Sequence, residues 1–535
     1  MPRVDAIRLV VRMFFAPTAQ LTDEDRERGL RHLVVEAGFS NACTAVTSGV
    51  ILTAFALHLG ASNTTIGLLA AITFWVQLLQ APGVLMVERL RTRKRIAILA
   101  SLLSRCALVG MAALAILPNA GGATLAILVA LQVFFCGIAT FGGCAWNAWV
   151  RDLAPEQRLG QIFAKRTINA TVVALIASLA AAFALDRAPE GSTWRPLAFG
   201  GLYLFGFVMG LLSCRELALT PEPRMPAASE RVKLLPLLKA PLKDQNFRRL
   251  IMFLASWQFA VNLATPFFTV FFVKQLGLDI TFVVILGVVS QATNVLALRS
   301  WGLLSDRFAN KSVLAVAAPL FILCIAAMVG ASQIQEKAWV MAYLVGLHAL
   351  MGLATAGVTL SSGNIAMKLS PRGSATAYIA ANALISSAAA GLAPVLGGVF
   401  ADFFAARRLE ILLRWTSPGD VLTLMPLRVS NWDFYFLIAF VLGLYALHRL
   451  SLVTEAGEVD SKAMVGEVIA QARRDVRNLS PIAGLKFLTD VPAALLRDAR
   501  VQRRLRRARE SQAERDAEKT RRGGKRRVRK VSRTT

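Results

Sequence analysis

The feature that most constrains this chain is an internal repeat. Its two halves carry one hydrophobic plan, displaced by about 217 residues. Leu59-Gly60 returns as Leu276-Gly277, the acidic-basic pair Glu88-Arg89 as Asp306-Arg307, and Pro155 as Pro371. Three markers from three loops agree in their offset to within a residue. That agreement points to a duplicated membrane bundle, a plan common among proteins that move solutes through a bilayer.

Composition sets the solvent. With 55% hydrophobic residues and a mean hydropathy of +0.54 over 535 residues, the chain is too apolar for a soluble protein. The formal charge of +27 does not mark a nucleic-acid binder, because the basic residues gather in particular loops and near the C-terminus. Cys43, Cys106, Cys136, Cys144, Cys214 and Cys324 sit in or beside apolar stretches without metal-ligand spacing, and read as small packing residues.

Stretches of roughly twenty apolar residues number twelve. The first six run approximately 34 to 59, 65 to 87, 96 to 117, 123 to 148, 161 to 185 and 196 to 214. The second six run approximately 250 to 273, 279 to 303, 313 to 333, 338 to 367, 375 to 403 and 433 to 452. The expected fold class is an all-α membrane protein with twelve transmembrane helices as two six-helix pseudo-repeats. Around the bundles (34–214 and 250–452) lie an N-terminal segment (1–33), a proline-rich linker (215–249) and a basic tail (453–535). Lysines and arginines crowd the loops after spans two and four and the central linker, whereas the loops after spans one and three carry none. The positive-inside rule then puts both termini in the cytoplasm. The loop after span eleven, with Arg407, Arg408, Arg414 and Arg428, is the exception.

Gly302-Leu303-Leu304-Ser305-Asp306-Arg307, followed by Lys311, resembles the signature loop between the second and third helices of a half in the major facilitator superfamily. It falls where the repeat requires. The first half departs from the pattern, with Glu88 in place of the aspartate, but Arg89, Arg91, Arg93 and Lys94 keep the basic run. The stretch from Trp146 to Gly160, which includes Arg151, Asp152, Pro155 and Arg158, is similar to the junction after the fourth helix in many bacterial members. The resemblance covers residues 30 to 452. It implies two six-helix bundles rocking about a central site. It also implies a cytoplasmic gate built from Glu88, Arg89, Arg151, Asp152, Asp306 and Arg307, in which carboxylates, arginines and helix starts form a breakable charge cluster. The competing reading is that the carboxylates cap helices and the arginines only fix topology.

Polar residues inside apolar spans are costly and usually face the bundle interior. Asn41, Thr44 and Ser48 form one stripe on span one, and Gln258, Asn262 and Thr265 another on span seven. The repeat maps Asn41 onto Gln258, Ser48 onto Thr265, and Gln132 onto His348. The resemblance places these helices around the cavity, so the eight residues are the expected substrate-cavity set. Interhelical hydrogen bonding, typically worth about 0.6 kcal/mol, is the alternative for each. Gln77, Gln80, Asn169, Gln291, Asn294 and Asn382 form a second layer read as structural. Glu36, Arg105 and His348 are the ionisable residues of interest. Glu36 and His348 can carry a coupling proton, and Arg105 requires a partner in the membrane, for which a carboxylate, backbone carbonyls and an anionic substrate are the candidates. The alternatives are a Glu36 in the headgroup region beside Arg31 and a neutral core histidine.

Residues 1 to 20 suit an amphipathic helix on the inner membrane face. The arginine-rich tail suits anionic lipid headgroups better than specific nucleic-acid recognition, for which no motif speaks. HExxH, GxSxG and phosphate-loop patterns are absent from the sequence, which argues against an enzyme and implies no cofactor. Two functions remain open from sequence: transport of a small neutral or anionic solute with or without protons, in a bacterial inner membrane, and a non-transporting sensor or scaffold acting through the tail.

Overall fold

The computed structural model describes residues 21–117, 121–154, 159–225, 241–371, 375–417, 420–430, 432–458, 464–468 and 470–471. The expected amphipathic segment 1–20, most of the linker and nearly all of the basic tail lie outside the described residues.

Twelve described helices are long and apolar enough to cross a membrane. In the first half they are α1 (Asp23–His58), α2 (Asn63–Leu90), α3 (Arg93–Ile116), α4 (Gly122–Leu153), α5 (Ile162–Asp186) and α6 (Trp194–Leu219). In the second they are α7 (Gln245–Gln275), α8 (Ile280–Phe308), α9 (Asn310–Gln333), α10 (Lys337–Leu369), α11 (Ala377–Phe404) and α12 (Trp432–Ser451). Helix α1 starts before the expected boundary, because Thr22 caps its first turn by accepting from the Asp25 N–H at 3.2 Å. Asp23, Glu24 and Asp25 complement the helix dipole there.

Each half has its own core. In the first, Leu30, Leu33, Val87, Ile96, Trp149 and Leu153 bury against one another. In the second, Phe267, Phe268, Phe271, Trp432, Tyr435 and Phe436 form a nest of tilted and edge-on rings. Between α11 and α12 the chain forms an antiparallel hairpin, β1 (Arg408–Ser417) and β2 (Asp420–Ser430), pairing Arg408 with Ser430 and Ser417 with Asp420. The basic loop after span eleven is therefore a hairpin added to an otherwise helical plan.

The residues just after α12 also differ from a free tail. Asn246 and Thr454 exchange hydrogen bonds (Nδ2 to the Thr454 carbonyl at 2.9 Å, Thr454 N–H to Oδ1 at 3.0 Å), which ties the start of α7 to the end of α12.

Close helix packing depends on small residues. A Cβ on Gly357 of α10 would stand 2.7 Å from the Ala317 Cβ and 3.0 Å from the Trp301 ring, while one on Gly346 of the same helix would meet nothing within 4 Å. Gly357→Val is therefore expected to destabilise the second half by about 1–3 kcal/mol. Its melting temperature in detergent should drop by several degrees, and Gly346→Val should leave it unchanged.

Candidate functional site

The site is built where two helices break. Helix α1 is interrupted at Ser48-Gly49, where Gly49 has φ +58°, a left-handed value that favours glycine. The second segment of α1, Val50–His58, then starts without a side-chain cap. Helix α7 leaves α-geometry at Thr265–Phe267, because Pro266 has no N–H to donate to the preceding turn. Ser48 and Thr265 are repeat partners, so both halves interrupt the same helix at the same place. Non-helical backbone at membrane depth is tolerated where it lines a cavity.

A cavity of about 340 Å³ lies at these breaks. Ser48, Gly49, Val50 and Thr53 of α1, Thr73 and Phe74 of α2, Gln132 of α4, and Asn262, Thr265 and Thr269 of α7 contribute to its wall. A second cavity of about 520 Å³ shares Phe74 and adds Trp257 and Gln258 of α7, Thr359 and Ser362 of α10, and Asn382, Ser386 and Ser387 of α11.

The structure thus brings Ser48, Gln132, Asn262 and Thr265 to one cavity and Gln258 to the other. Asn382, read from sequence as structural, joins Gln258. Asn41 and Thr44 line neither; Asn41 Nδ2 donates to the Ala37 carbonyl at 2.8 Å and the Thr44 hydroxyl to the Ser40 carbonyl at 3.1 Å. His348 is buried outside both, its Nδ1 2.9 Å from the Leu344 carbonyl and its ring against Phe268 and Phe272. Of the second layer, Gln80 donates to Gln77, and Asn169 ties α5 to α1 by donating to the Val34 carbonyl at 2.7 Å.

Glu36 is buried among α1, α5 and α6. Its Oε2 accepts from Arg166 Nη2 at 3.2 Å and its Oε1 from the Ser213 hydroxyl at 3.1 Å, so its partner is Arg166 instead of Arg31. The Arg166 guanidinium lies 4.3 Å over the Trp146 ring. Arg105 is buried with its guanidinium 5.2 Å from the Phe135 ring centre, in space left by Gly210, and within electrostatic reach of Glu36. One turn along α1 from Glu36, His32 Nδ1 stands 2.6 Å from Glu216.

The two ends of the bundle are fastened differently. At one end, carboxylates cross between the halves. Asp186, at the end of α5, accepts the N–H groups of Ile280 and Thr281 at the start of α8, at 3.0 and 2.7 Å. Asp402, near the end of α11, accepts those of Asn63 and Thr64 at the start of α2, at 3.1 and 2.9 Å, and the Thr64 hydroxyl at 2.6 Å. Asp186 and Asp402 are themselves repeat partners, as are the pairs they cap. Sequence reasoning missed them, although the same offset marks them.

At the opposite end the charge clusters stay within each half. Arg93 is buried and pairs with Asp152, while its Nη2 donates to the Pro223 carbonyl at 2.7 Å. Glu222, three residues past α6, accepts the Arg93 N–H at 2.6 Å. In the second half Glu455, just past α12, accepts the Lys311 N–H at 2.7 Å and Asn310 Nδ2 at 3.0 Å, and pairs with Lys368 at 2.8 Å. Each half therefore caps its third helix with a carboxylate placed just after its sixth. Of the expected gate residues, Asp152 joins this arrangement. Glu88 stands 3.8 Å from Arg91, Arg307 stacks 4.7 Å over Phe308, and Arg89, Arg151 and Asp306 are exposed.

Burial raises the Glu222 carboxyl above the ordinary range, against the backbone N–H groups and guanidinium of Arg93 that pull it down. Burial pushes Glu455 up as well, but Lys368, the Lys311 N–H and Asn310 outweigh it and hold the carboxyl below the usual range. A carboxylate depressed in the fold stabilises above its unfolded pKa, and that contribution fades as pH falls through the folded value. Glu455→Gln is thus expected to lower the melting temperature at pH 7, with the gap to wild type closing as the pH drops below about 4.

Comparison with known proteins agrees with this architecture. The family model described as Major Facilitator Superfamily matches residues 37–394. No curated protein sequence gives a significant match. Among solved structures, the nucleoside transporter NupG is similar at 14% identity and TM-score 0.59, over 79% of this chain and 98% of that one. The xylose transporter XylE from E. coli, in an inward-open conformation, gives 13% and 0.55 over 83% and 98%. A bacterial homologue of the iron transporter ferroportin in an inward-facing state gives 12% and 0.59 over 79% and 98%. Twelve helices in two repeated halves, cavities at paired helix breaks and a family match over most of the chain lead to one conclusion: this chain belongs to the Major Facilitator Superfamily, as a membrane transporter of small solutes and not an enzyme.

Proposed function

We propose that the protein works by alternating access, with the end fastened by Asp186 and Asp402 as the closed, extracellular gate and the opposite end open to the cytoplasm. The observation that carries this reading is the pair of repeat-related carboxylate caps, which bind one half to the other at a single end. Opening that end requires both caps to release, and closing the other requires the halves to rock together around the cavities. Both termini are then cytoplasmic, in a bacterial inner membrane. The two similar structures described as inward-open or inward-facing support the assignment of the open side.

Coupling to protons is assigned to Glu36. Its carboxylate is buried against Arg166 and Ser213 at the junction of three helices, and Arg105 adds positive charge nearby. Protonation would weaken the Arg166 pair and let α1 and α5 shift, so that charge and conformation change together. The arginine-rich tail is assigned to anionic lipid headgroups, at about 1 kcal/mol per well-placed basic residue.

Two outcomes are expected. Each cap is worth about 0.5–2 kcal/mol, so Asp186→Ala with Asp402→Ala should favour the outward-open state by roughly five-fold or more. Amide hydrogen exchange at residues 63–66 and 280–283 should accelerate correspondingly; unchanged protection there would refute the latch. In proteoliposomes, Glu36→Gln should abolish solute-driven proton movement while solute exchange persists, and proton movement equal to wild type would exclude Glu36 as the coupling site.

A further inference from the structure

We infer that the transported solute is uncharged, presenting hydrogen-bonding groups on one face and an apolar or ring surface on another. This rests on the transport reading of the cavities. The inference comes from what lines them: among the described residues, neither cavity has a lysine, arginine, aspartate, glutamate or histidine in its wall. Their polar groups are hydroxyls and carboxamides, with Gln132 from the first half and Asn262 from the second facing one space.

Among the described residues, the buried charged groups lie outside the walls of these two cavities. Glu36 is held by Arg166 and Ser213, and Asp433 accepts from the Ser332 hydroxyl at 2.6 Å. Arg105, whose Nε has no hydrogen-bond partner among the described residues, lies against Phe135 and lines neither cavity. A charged solute entering either cavity would shed its water without meeting a counter-charge, a penalty of several kcal/mol per ion. The uncapped start of the Val50–His58 segment offers only a partial positive charge, equivalent to about half an elementary charge. Its free backbone N–H groups suit a carbonyl or hydroxyl oxygen instead.

The apolar side of the solute is read from two aromatic rings. Phe74 is shared by both cavities and Trp257 stands in the larger one. Carboxamides near such rings fit sugars, polyols, nucleosides and small amides, and the volumes fall within the about 300–1,000 Å³ usual for small-molecule sites. Gln132 Nε2 donates to Cys136 Sγ at 3.3 Å and Asn262 Nδ2 to the Gln258 carbonyl at 2.8 Å, so an apolar solute of equal size is rejected because it leaves their carboxamide oxygens without a donor.

The test uses the full-length purified protein and three probe libraries in a thermal-shift assay: neutral sugars, polyols, nucleosides and amides; carboxylates and phosphates; and amines. The expected result is stabilisation by members of the neutral library alone. Affinity for the best of them should fall at least ten-fold in both Gln132→Ala and Asn262→Ala, and stay at the wild-type value in Asn294→Ala, which lies outside both cavities. Stabilisation by a charged library, or by no neutral member, would overturn the inference. Hydrogen exchange at the two aspartate caps separates the failures. A protein that binds carboxylates or amines and changes protection at the caps on binding remains a transporter with its solute class misassigned. One that binds no probe and shows one fixed protection pattern contradicts the transport reading itself.

Discussion

The structure turns on two carboxylates that each sit at the end of one half's helix and cap the first turn of a helix in the other. A helix start leaves N–H groups without intrahelical partners, and a carboxylate there gains both hydrogen bonds and the favourable end of the helix dipole. Asp186 and Asp402 use that chemistry between halves instead of within one. In the proposed cycle these few bonds hold one end closed and release when it opens. Gene duplication supplies the second copy automatically, so the two caps are related by the repeat.

The opposite end uses the same chemistry for a different purpose. Glu222 and Glu455 cap the third helix of their own halves, and Arg93 braces the linker through the Pro223 carbonyl. These contacts tie helices to one another within each half at that end. The proposed rocking motion needs halves tied within themselves and fastened to each other at one end, and the broken helices α1 and α7 bring Ser48 and Thr265 to one cavity.

Much of this was legible in the sequence, for physical reasons. Membrane spans must be long and apolar, so twelve of them and their repeat could be read directly, and the polar residues Ser48, Gln132, Asn262 and Thr265 stood out because lipid penalises them. The helix-end carboxylates were obscure for the opposite reason: an aspartate at a loop boundary looks like ordinary surface, and only its repeat partner 216 positions away marks it. Glu222 and Glu455 were hidden because they lie past α6 and past α12, far in sequence from the starts of α3 and α9 that they cap. His348 shared an offset with Gln132 but not its surroundings, since the aromatic nest around Phe268 and Phe272 encloses it. The hairpin carried its own signal, Pro418-Gly419 between runs of leucine, valine and isoleucine, beneath the more conspicuous arginines.

The most direct test of the central claim is the distance between spin labels on Arg89 and Arg307, exposed repeat partners at the end opposite the aspartate caps, measured by double electron–electron resonance in a protein with its native cysteines replaced. Alternating access predicts two distance populations, with the shorter one gaining weight when Asp186 and Asp402 are replaced by alanine. A single distance, unchanged by those replacements and by any solute, would contradict it.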